Sequence, residues 1–167
     1  MSQALSDLST MNNPGENKKI LTLCVVYNNS HILLGMKKKG FGQGRWNGFG
    51  GKVEKGESIE KAARRELEEE VGLTPLDIVK RGILEFIYPW DARIWQMHIF
   101  STMRYSGEVK ESDEMLPRWF SHAEIPYKFM WPNDPHWLPL VLAGKNIEGV
   151  FHFKDKDTIL SHKLREI

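Results

Sequence analysis

Apolar residues along this chain occur in short runs separated by Gly, Pro and Asn, a pattern typical of strands joined by turns. A polar stretch with an Asn-Asn-Pro-Gly turn signal precedes the first run and predicts a disordered tail over residues 1–18. Gly82 interrupts one of the later runs. The pattern predicts strands over residues 20–27, 31–36, 78–88, 94–104 and 118–120, and a closing hairpin formed by 149–153 and 158–167.

One long polar stretch has the signals of a helix rather than a strand. Ser58 is a suitable N-cap, Glu60 places negative charge in the first turn, and Gly72 suits the position just past the C-terminal end. A second helix is predicted over residues 135–143; it begins with a proline, and Pro139 still lies near its first turn. Strands combined with two helices indicate one α/β domain in which helices cover a mixed sheet.

Three carboxylates share one face of the first helix. Glu66, Glu69 and Glu70 lie at i, i+3 and i+4, within an arc of about 100° that also carries small apolar residues. Like charges at this spacing repel each other, so a cation is expected among them. Oxygen ligands without His or Cys favour a hard ion, Mg²⁺ or alternatively Mn²⁺. A solvated, Glu-rich helix is the other interpretation of an acidic triplet.

A loop rich in glycine and aromatic residues, residues 40–50, comes directly before this helix. Glycine lets the backbone approach a ligand closely, and Lys37 just ahead of the loop can meet a phosphate group. The loop alone is weak evidence for a phosphate site. Its position next to the acidic helix indicates that it forms one wall of the same site.

Composition limits the possible functions. The 167 residues carry a net charge of +1, which does not favour binding to nucleic acid polymers or anionic membranes, and no apolar stretch is long enough to span a bilayer. Cys24 is the only cysteine, so an intrachain disulfide is excluded. This usage fits a reducing compartment, and we expect a cytoplasmic protein, with the nucleus and mitochondrion as alternatives.

The glycine loop and acidic helix together resemble the signature of the Nudix hydrolases. Every position of that signature has the residue type of the family, at the family's spacing. Many fixed positions at fixed spacing are far more specific than an acidic triplet alone. The matching residues are Gly51, Glu57, Arg65, Glu66, Glu69, Glu70, Gly72 and Leu73.

Four further segments, 35–51, 111–115, 130–134 and 149–167, resemble the branch of this family that hydrolyses oxidised purine nucleoside triphosphates. The resemblance covers nearly the whole chain after residue 19. It implies a Nudix α/β/α sandwich with a mixed β-sheet over residues 19–167. It also implies hydrolysis of a free nucleotide such as 8-oxo-dGTP or 2-hydroxy-dATP to monophosphate and pyrophosphate by a monomer, which would remove damaged nucleotides from the precursor pool.

The resemblance also assigns residue roles. One of Glu69 and Glu70 would act as general base, and the sequence leaves open which. Arg65 would orient the glutamates by ion pairing, and Glu57 would support the loop. The implied metal ligands are the Gly50 carbonyl, Glu66, Glu69, Glu70 and, from a separate acidic loop, Glu114.

The implied nucleotide pocket combines aromatic faces with amide and carboxylate groups. Trp131 offers a flat surface for purine stacking, and Asn47, Asn133 and Asp134 offer hydrogen bonds to the base edge. The predicted substrate-binding residues are Thr22, Lys37, Phe41, Asn47, Phe49, Gly50, Gly51, Lys52, Phe86, Trp131, Pro132, Asn133 and Asp134, with Leu84, Trp95, Met115 and Trp137 as further lining residues.

Asn133 is a departure from the branch it resembles, whose members carry two adjacent aspartates after Trp-Pro. Recognition of both oxidised guanine and oxidised adenine has been attributed to a proton that moves between those aspartates. An asparagine cannot ionise, so we expect a stronger preference for oxidised guanine here. Two other functions stay open: a Nudix enzyme for another diphosphate-linked substrate, and an inactive Nudix domain that only binds nucleotides.

Overall fold

Ten strands and two α-helices make up residues 17–167, the part of the chain that the computed structural model describes. Residues 1–16 of the predicted tail lie outside the described residues. Lys18, which was predicted to belong to the tail, is the first residue of the first strand. The strands are β1 (Lys18–Tyr27), β2 (His31–Lys37), β3 (Trp46–Asn47), β4 (Thr74–Pro75), β5 (Val79–Ile87), β6 (Ile94–Thr102), β7 (Tyr105–Ser106), β8 (Met115–Ser121), β9 (Ile147–Asp155) and β10 (Thr158–Glu166); the helices are α1 (Ile59–Val71) and α2 (Asp134–Leu142).

Eight of these strands form one mixed sheet. Its order is β10-β9-β5-β6-β1-β2-β3, and β8 also pairs with β2. The β1–β6 and β5–β9 pairs are parallel, whereas the other pairs of this sheet are antiparallel. A two-stranded sheet of β4 and β7 lies apart from it. The mixed sheet with two helices confirms the predicted α/β class.

Both faces of the central strands are buried. Along β1, Leu23 and Val25 point into one core, while Cys24 and Val26 point into the other, as expected when successive side chains alternate. The first core also contains Trp137 and its neighbours on α2, and the second contains residues of α1 such as Leu67. One helix therefore covers each face of the sheet, which explains why β1 reads as a continuous apolar run.

Cys24 behaves as a small buried hydrophobe. Its side chain is fully buried, and burial raises the pKa of its thiol to about 12. Among residues 17–167, neither helix is long and apolar enough to cross a bilayer.

Several boundaries differ from the sequence prediction. The predicted strand 118–120 is part of the longer β8, because all of Met115–Ser121 pairs with β2. Pro139 lies inside α2 rather than in its first turn. The helix continues past it, since Ala143 N–H donates to the Pro139 carbonyl at 3.1 Å, although the ring nitrogen of Pro139 can donate nothing.

Candidate active site

The strand-like segment from Phe49 to Lys52 brings the glycine loop against β1. The Phe49 carbonyl accepts from Cys24 N–H at 2.6 Å and the Gly51 carbonyl accepts from Thr22 N–H at 2.9 Å. The Gly50 carbonyl lies between them and accepts no hydrogen bond from residues 17–167. Because carbonyls alternate along an extended chain, it points away from β1 and stays available as a ligand.

Close contact between Gly51 and α1 fixes the position of Glu66. A Cβ atom on Gly51 would lie 2.5 Å from Glu66 Oε1 and 2.7 Å from its Cδ, so only glycine leaves room for this carboxylate. The helix itself is set by local signals. The Ser58 side chain accepts from Lys61 N–H at 3.2 Å, and Gly72 ends the helix with φ of 75°.

Arg65 joins the loop to the acidic face of α1. Its guanidinium donates to both oxygens of Glu57, at 2.7 and 3.0 Å, and to the Lys52 carbonyl at 3.1 Å. It also donates to Glu66 at 3.0 Å and to Glu69 at 3.2 Å. The Glu57 bonds lower the pKa of that carboxyl and raise the pKa of Arg65. Arg65 therefore orients two of the predicted ligands, while Glu57 supports the loop.

Glu70 is a buried carboxylate with one oxygen that lacks a hydrogen-bond partner among residues 17–167. Its residue is 3% exposed, and the oxygen without a partner is Oε2. Burial, followed by the negative charge of Glu66, raises the pKa of Glu70 to about 9, and Glu114 adds to the effect. Burial also raises the pKa of Glu66. Two carboxylates in this environment favour a bound positive charge.

These donors fit a hard divalent cation, although the side chains do not yet converge on one point. Within residues 17–167 no three His, Cys, Asp or Glu side chains form a ready-made metal site. The Glu69 carboxylate is turned towards Arg65, and its side chain is 57% exposed. The orphaned oxygen of Glu70 and the free carbonyl of Gly50 supply the oxygen ligands that such an ion requires.

A single cleft of about 620 Å³ connects this carboxylate cluster to an aromatic pocket on the other side of the glycine loop. It brings together most of the residues predicted from the sequence. Those that line it are Thr22, Lys37, Phe41, Asn47, Gly50, Gly51, Lys52, Arg65, Glu66, Glu69, Glu70, Phe86, Trp95, Glu114, Met115, Trp131, Asn133, Asp134 and Trp137.

Three predicted lining residues are not part of the cleft wall. Phe49 is fully buried in the core beneath α1, because the chain alternates and the residue after it faces the site. Leu84 is fully buried in the other core, on the far side of Phe86. Pro132 lies between two lining residues without reaching the cleft itself.

The aromatic end of the cleft contains two buried polar residues. Asn133 is 4% exposed, and its amide makes no hydrogen bond with residues 17–167, so it is free to bind a ligand. Asp134 accepts from Trp131 N–H at 3.2 Å and from Trp137 Nε1–H at 3.1 Å. Burial raises the pKa of Asp134 to about 7, because these two bonds offset only part of the desolvation.

Sequence reasoning missed several residues of the cleft. Arg45 lines it, and its guanidinium carbon lies 4.2 Å from the centre of the Trp131 ring. Tyr88 stacks on Trp90 at the end of β5, with 4.5 Å between ring centroids. Lys19 places its Nζ 3.7 Å from the centre of the Trp95 ring. The Pro89-Trp90 turn was a signal for Tyr88, and Arg45 belongs to the loop that was predicted to form a wall of the site, whereas Lys19 carries no local signal.

Comparisons with known proteins identify the family of this chain. The NUDIX domain matches residues 18–141, most of the chain. The chain belongs to the Nudix family, whose hydrolases generally use divalent metal ions.

The chain is also similar to individual proteins and to solved structures of this family. The chain is 50% identical over 149 residues to the oxidized purine nucleoside triphosphate hydrolase of Danio rerio, a match that covers 89% of this chain and 96% of that protein. It is 48% identical to the protein of the same name from Mus musculus, with the same coverage of 89% and 96%. The crystal structure of a MutT protein from Bacillus halodurans has a TM-score of 0.77 at 29% identity, covering 87% of this chain and 97% of that one.

Proposed function

We propose that this chain hydrolyses oxidised purine nucleoside triphosphates to the monophosphate and pyrophosphate, and so cleans the nucleotide pool. The observation that carries the proposal is the single cleft that joins a buried carboxylate cluster to an aromatic pocket containing a free amide. The zebrafish and mouse relatives, at 50% and 48% identity, are named for hydrolysis of these substrates.

Mg²⁺ is the proposed cofactor, with Mn²⁺ as a substitute. The Gly50 carbonyl, Glu66, Glu70, Glu114 and a reoriented Glu69 would hold it. When bound, such an ion neutralises phosphate charge and lowers the pKa of a coordinated water.

The chain's own residues supply the remaining chemistry of the polyphosphate end. Glu69 or Glu70 would accept a proton from the attacking water. Arg65 keeps Glu66 and Glu69 in position through its hydrogen bonds to both. Lys37, at the end of β2, lines the cleft and would bind a phosphate oxygen.

The opposite end would hold the base. Trp131 would stack on the purine, and Asn47, Asn133 and Asp134 would bind its edge. Asn47 already accepts from Gly48 N–H at 2.9 Å, which leaves its amide N–H groups to donate. Substrate discrimination would therefore depend on Asn47 and the 130–134 segment, and not on the carboxylates that act on every substrate.

The direct test is hydrolysis by the purified full chain of 8-oxo-dGTP, 2-hydroxy-dATP, dGTP, dATP, a dinucleoside tetraphosphate, ADP-ribose and a capped RNA. Each is assayed with Mg²⁺, with Mn²⁺ and with EDTA, and the products are separated by chromatography. We expect monophosphate and pyrophosphate from the oxidised purines, with EDTA abolishing turnover. Faster cleavage of a diphosphate-linked substrate would favour a different Nudix activity. Tight nucleotide binding without turnover would indicate an inactive binding domain.

A further inference from the structure

Arg45 lies within the glycine loop, just before β3, and makes three contacts: two with the segment around Trp131 and one with the β9–β10 turn. One guanidinium nitrogen donates to the Met130 carbonyl at 3.2 Å. The guanidinium carbon lies 4.2 Å from the centre of the Trp131 ring. The other terminal nitrogen forms an ion pair with Asp157. A planar guanidinium suits this arrangement, because it can stack on a ring and donate in its own plane at the same time.

Asp157 does not belong to the cleft. It lies in the turn that joins β9 to β10, where its own N–H donates to Asp155 at 2.8 Å. Its side chain is 63% exposed, whereas that of Arg45 is only 17% exposed. The hairpin therefore supplies a fixed carboxylate to a mostly buried cation. A charge-assisted bond of this kind is stronger and more directional than one between neutral groups.

Two other residues of the loop, Phe41 and Gly42, also pack against Trp131. Phe41 stacks on the ring with 4.9 Å between centroids and an interplanar angle of 28°. A Cβ atom on Gly42 would lie 3.1 Å from Trp131 Cζ2. Phe41, Gly42 and Arg45 of the loop therefore all pack against the Trp131 ring, and Arg45 also binds the β9–β10 turn through Asp157.

We propose that Arg45 and Asp157 form a positioning pair that holds Trp131 and the glycine loop in the geometry required to receive the purine. The inference rests on the proposed function only in taking Trp131 as the base-stacking surface. Asp157 acts through Arg45 and touches no substrate. Its loss should weaken nucleotide binding while leaving the carboxylate chemistry intact.

The decisive variant is Asp157→Ala, because its exposed side chain can be removed without touching the cleft. We expect KM for 8-oxo-dGTP to rise roughly threefold to tenfold with kcat within about twofold of wild type, since an ion-pair bond is lost and no ligand of the reacting phosphate changes. Asp157→Asn retains an acceptor oxygen and should show a smaller rise. In a Trp131→Ala background, Asp157→Ala should add no further rise, because both act on the same surface.

The matched control is Glu148→Ala. It breaks the ion pair between Arg165 and Glu148 that joins β9 to β10 in the same hairpin, outside the cleft. This variant should leave KM unchanged, whereas a similar rise there would indicate general loosening of the hairpin and overturn the inference. Affinity for the product 8-oxo-dGMP is measured by calorimetry in parallel. Unchanged affinity and KM in Asp157→Ala overturn the pairing, whereas failure of wild type to hydrolyse any oxidised purine overturns the proposed function alone.

Discussion

Asn133 and Asp134 are adjacent at the end of the cleft proposed to bind the base. They differ in what can change: the orientation of the Asn133 amide and the protonation of Asp134. The Asn133 amide can turn either its oxygen or its nitrogen towards a base, and it has no protein partner among residues 17–167. Asp134 is held in place by Trp131 and Trp137, so only its protonation can change. With burial raising the pKa of Asp134 to about 7, both of its forms are present near neutral pH.

This protonation should set the preference between oxidised bases. Oxidised guanine presents N1–H and N2–H₂ donors, which require the anionic form of Asp134, whereas N1 of 2-hydroxyadenine requires the protonated form. The ratio of kcat/KM for 8-oxo-dGTP to that for 2-hydroxy-dATP should therefore rise as pH increases through about 7, by up to about tenfold per unit. Rates are measured for both substrates across roughly pH 6–9. Effects on the shared carboxylates cancel in the ratio.

The substitution Asn133→Asp also tests whether protonation at this position sets the preference between oxidised guanine and oxidised adenine. A second carboxylate can share the proton, so the variant should accept oxidised adenine better and bring the two kcat/KM values closer together at pH 8. A ratio that is flat with pH in wild type, or unmoved by the substitution, would mean that another group, such as Asn47, reads the base.

Glu70→Gln is expected to remove turnover while the fold remains. The substitution keeps the size of the side chain but removes the charge of a buried carboxylate with an unpartnered oxygen. Loss of a metal ligand or general base should lower kcat by at least about 10²-fold. Circular dichroism checks folding, and Glu68→Gln, on the exposed side of α1, is the control. Near-normal kcat in a folded Glu70→Gln protein would refute the assignment of the carboxylate site.

At the scale of elements, α1 was predicted from local signals, whereas elements that form by pairing between distant segments were missed. Ser58 and Gly72 cap the helix through contacts within it, so its bounds were readable from the sequence. The two-residue strands β3, β4 and β7 exist only because distant segments pair with them, and no local pattern announces such pairing. Arg45 is a similar case, since its partners Met130 and Asp157 lie far along the chain.

The orientation of side chains in the glycine loop was the other source of error. The position of the loop directly before the acidic helix indicated that it forms a wall of the site, and Gly50, Gly51 and Lys52 line the cleft. It did not indicate that Phe49 faces the core, because that depends on how the segment pairs with β1. Of the residues matched to the Nudix signature, Gly51, Arg65, Glu66, Glu69 and Glu70 all line the cleft. The spacing between loop and helix is part of the signature itself, which explains why the sequence placed them together.

The contact between loop and helix yields a prediction for Gly51→Ala. The added Cβ would lie 2.5 Å from Glu66 Oε1, so this carboxylate must move or the loop must shift. We expect a loss of activity that higher Mg²⁺ partly restores, because one ligand is displaced rather than removed. Activity is titrated against Mg²⁺ in this variant and in Lys55→Ala, which changes an exposed residue a few positions before α1. An unchanged Mg²⁺ requirement in Gly51→Ala would contradict the position assigned to Glu66.

On the scale of the whole molecule, the active site lies where one face of the sheet, α1 and the glycine loop meet, and it concentrates negative charge in a buried place. The pKa of Glu70 is raised to about 9 there. A carboxyl whose pKa is higher in the folded state than in the unfolded chain stabilises the fold fully below its ordinary pKa of about 4.5. That stability is lost progressively as pH rises through about 9. The metal-free protein should therefore weaken with alkalinity, and a cation that takes the place of the proton should reverse this.

The stabilising effect of Mg²⁺ should accordingly grow with pH. Thermal unfolding is followed at pH 6, 7.5 and 9, with EDTA and with excess Mg²⁺, and the difference in Tm is compared. At pH 6 the ion must displace a proton from Glu70, whereas at pH 9 about half of these carboxyls are already ionised, so the gain in Tm should be larger. Titration of Asp134 affects both conditions and cancels in the difference. In Glu70→Gln the gain should be small and independent of pH. An equal gain at pH 6 and 9 in wild type, or a gain that survives in Glu70→Gln, would place the bound cation away from this carboxylate.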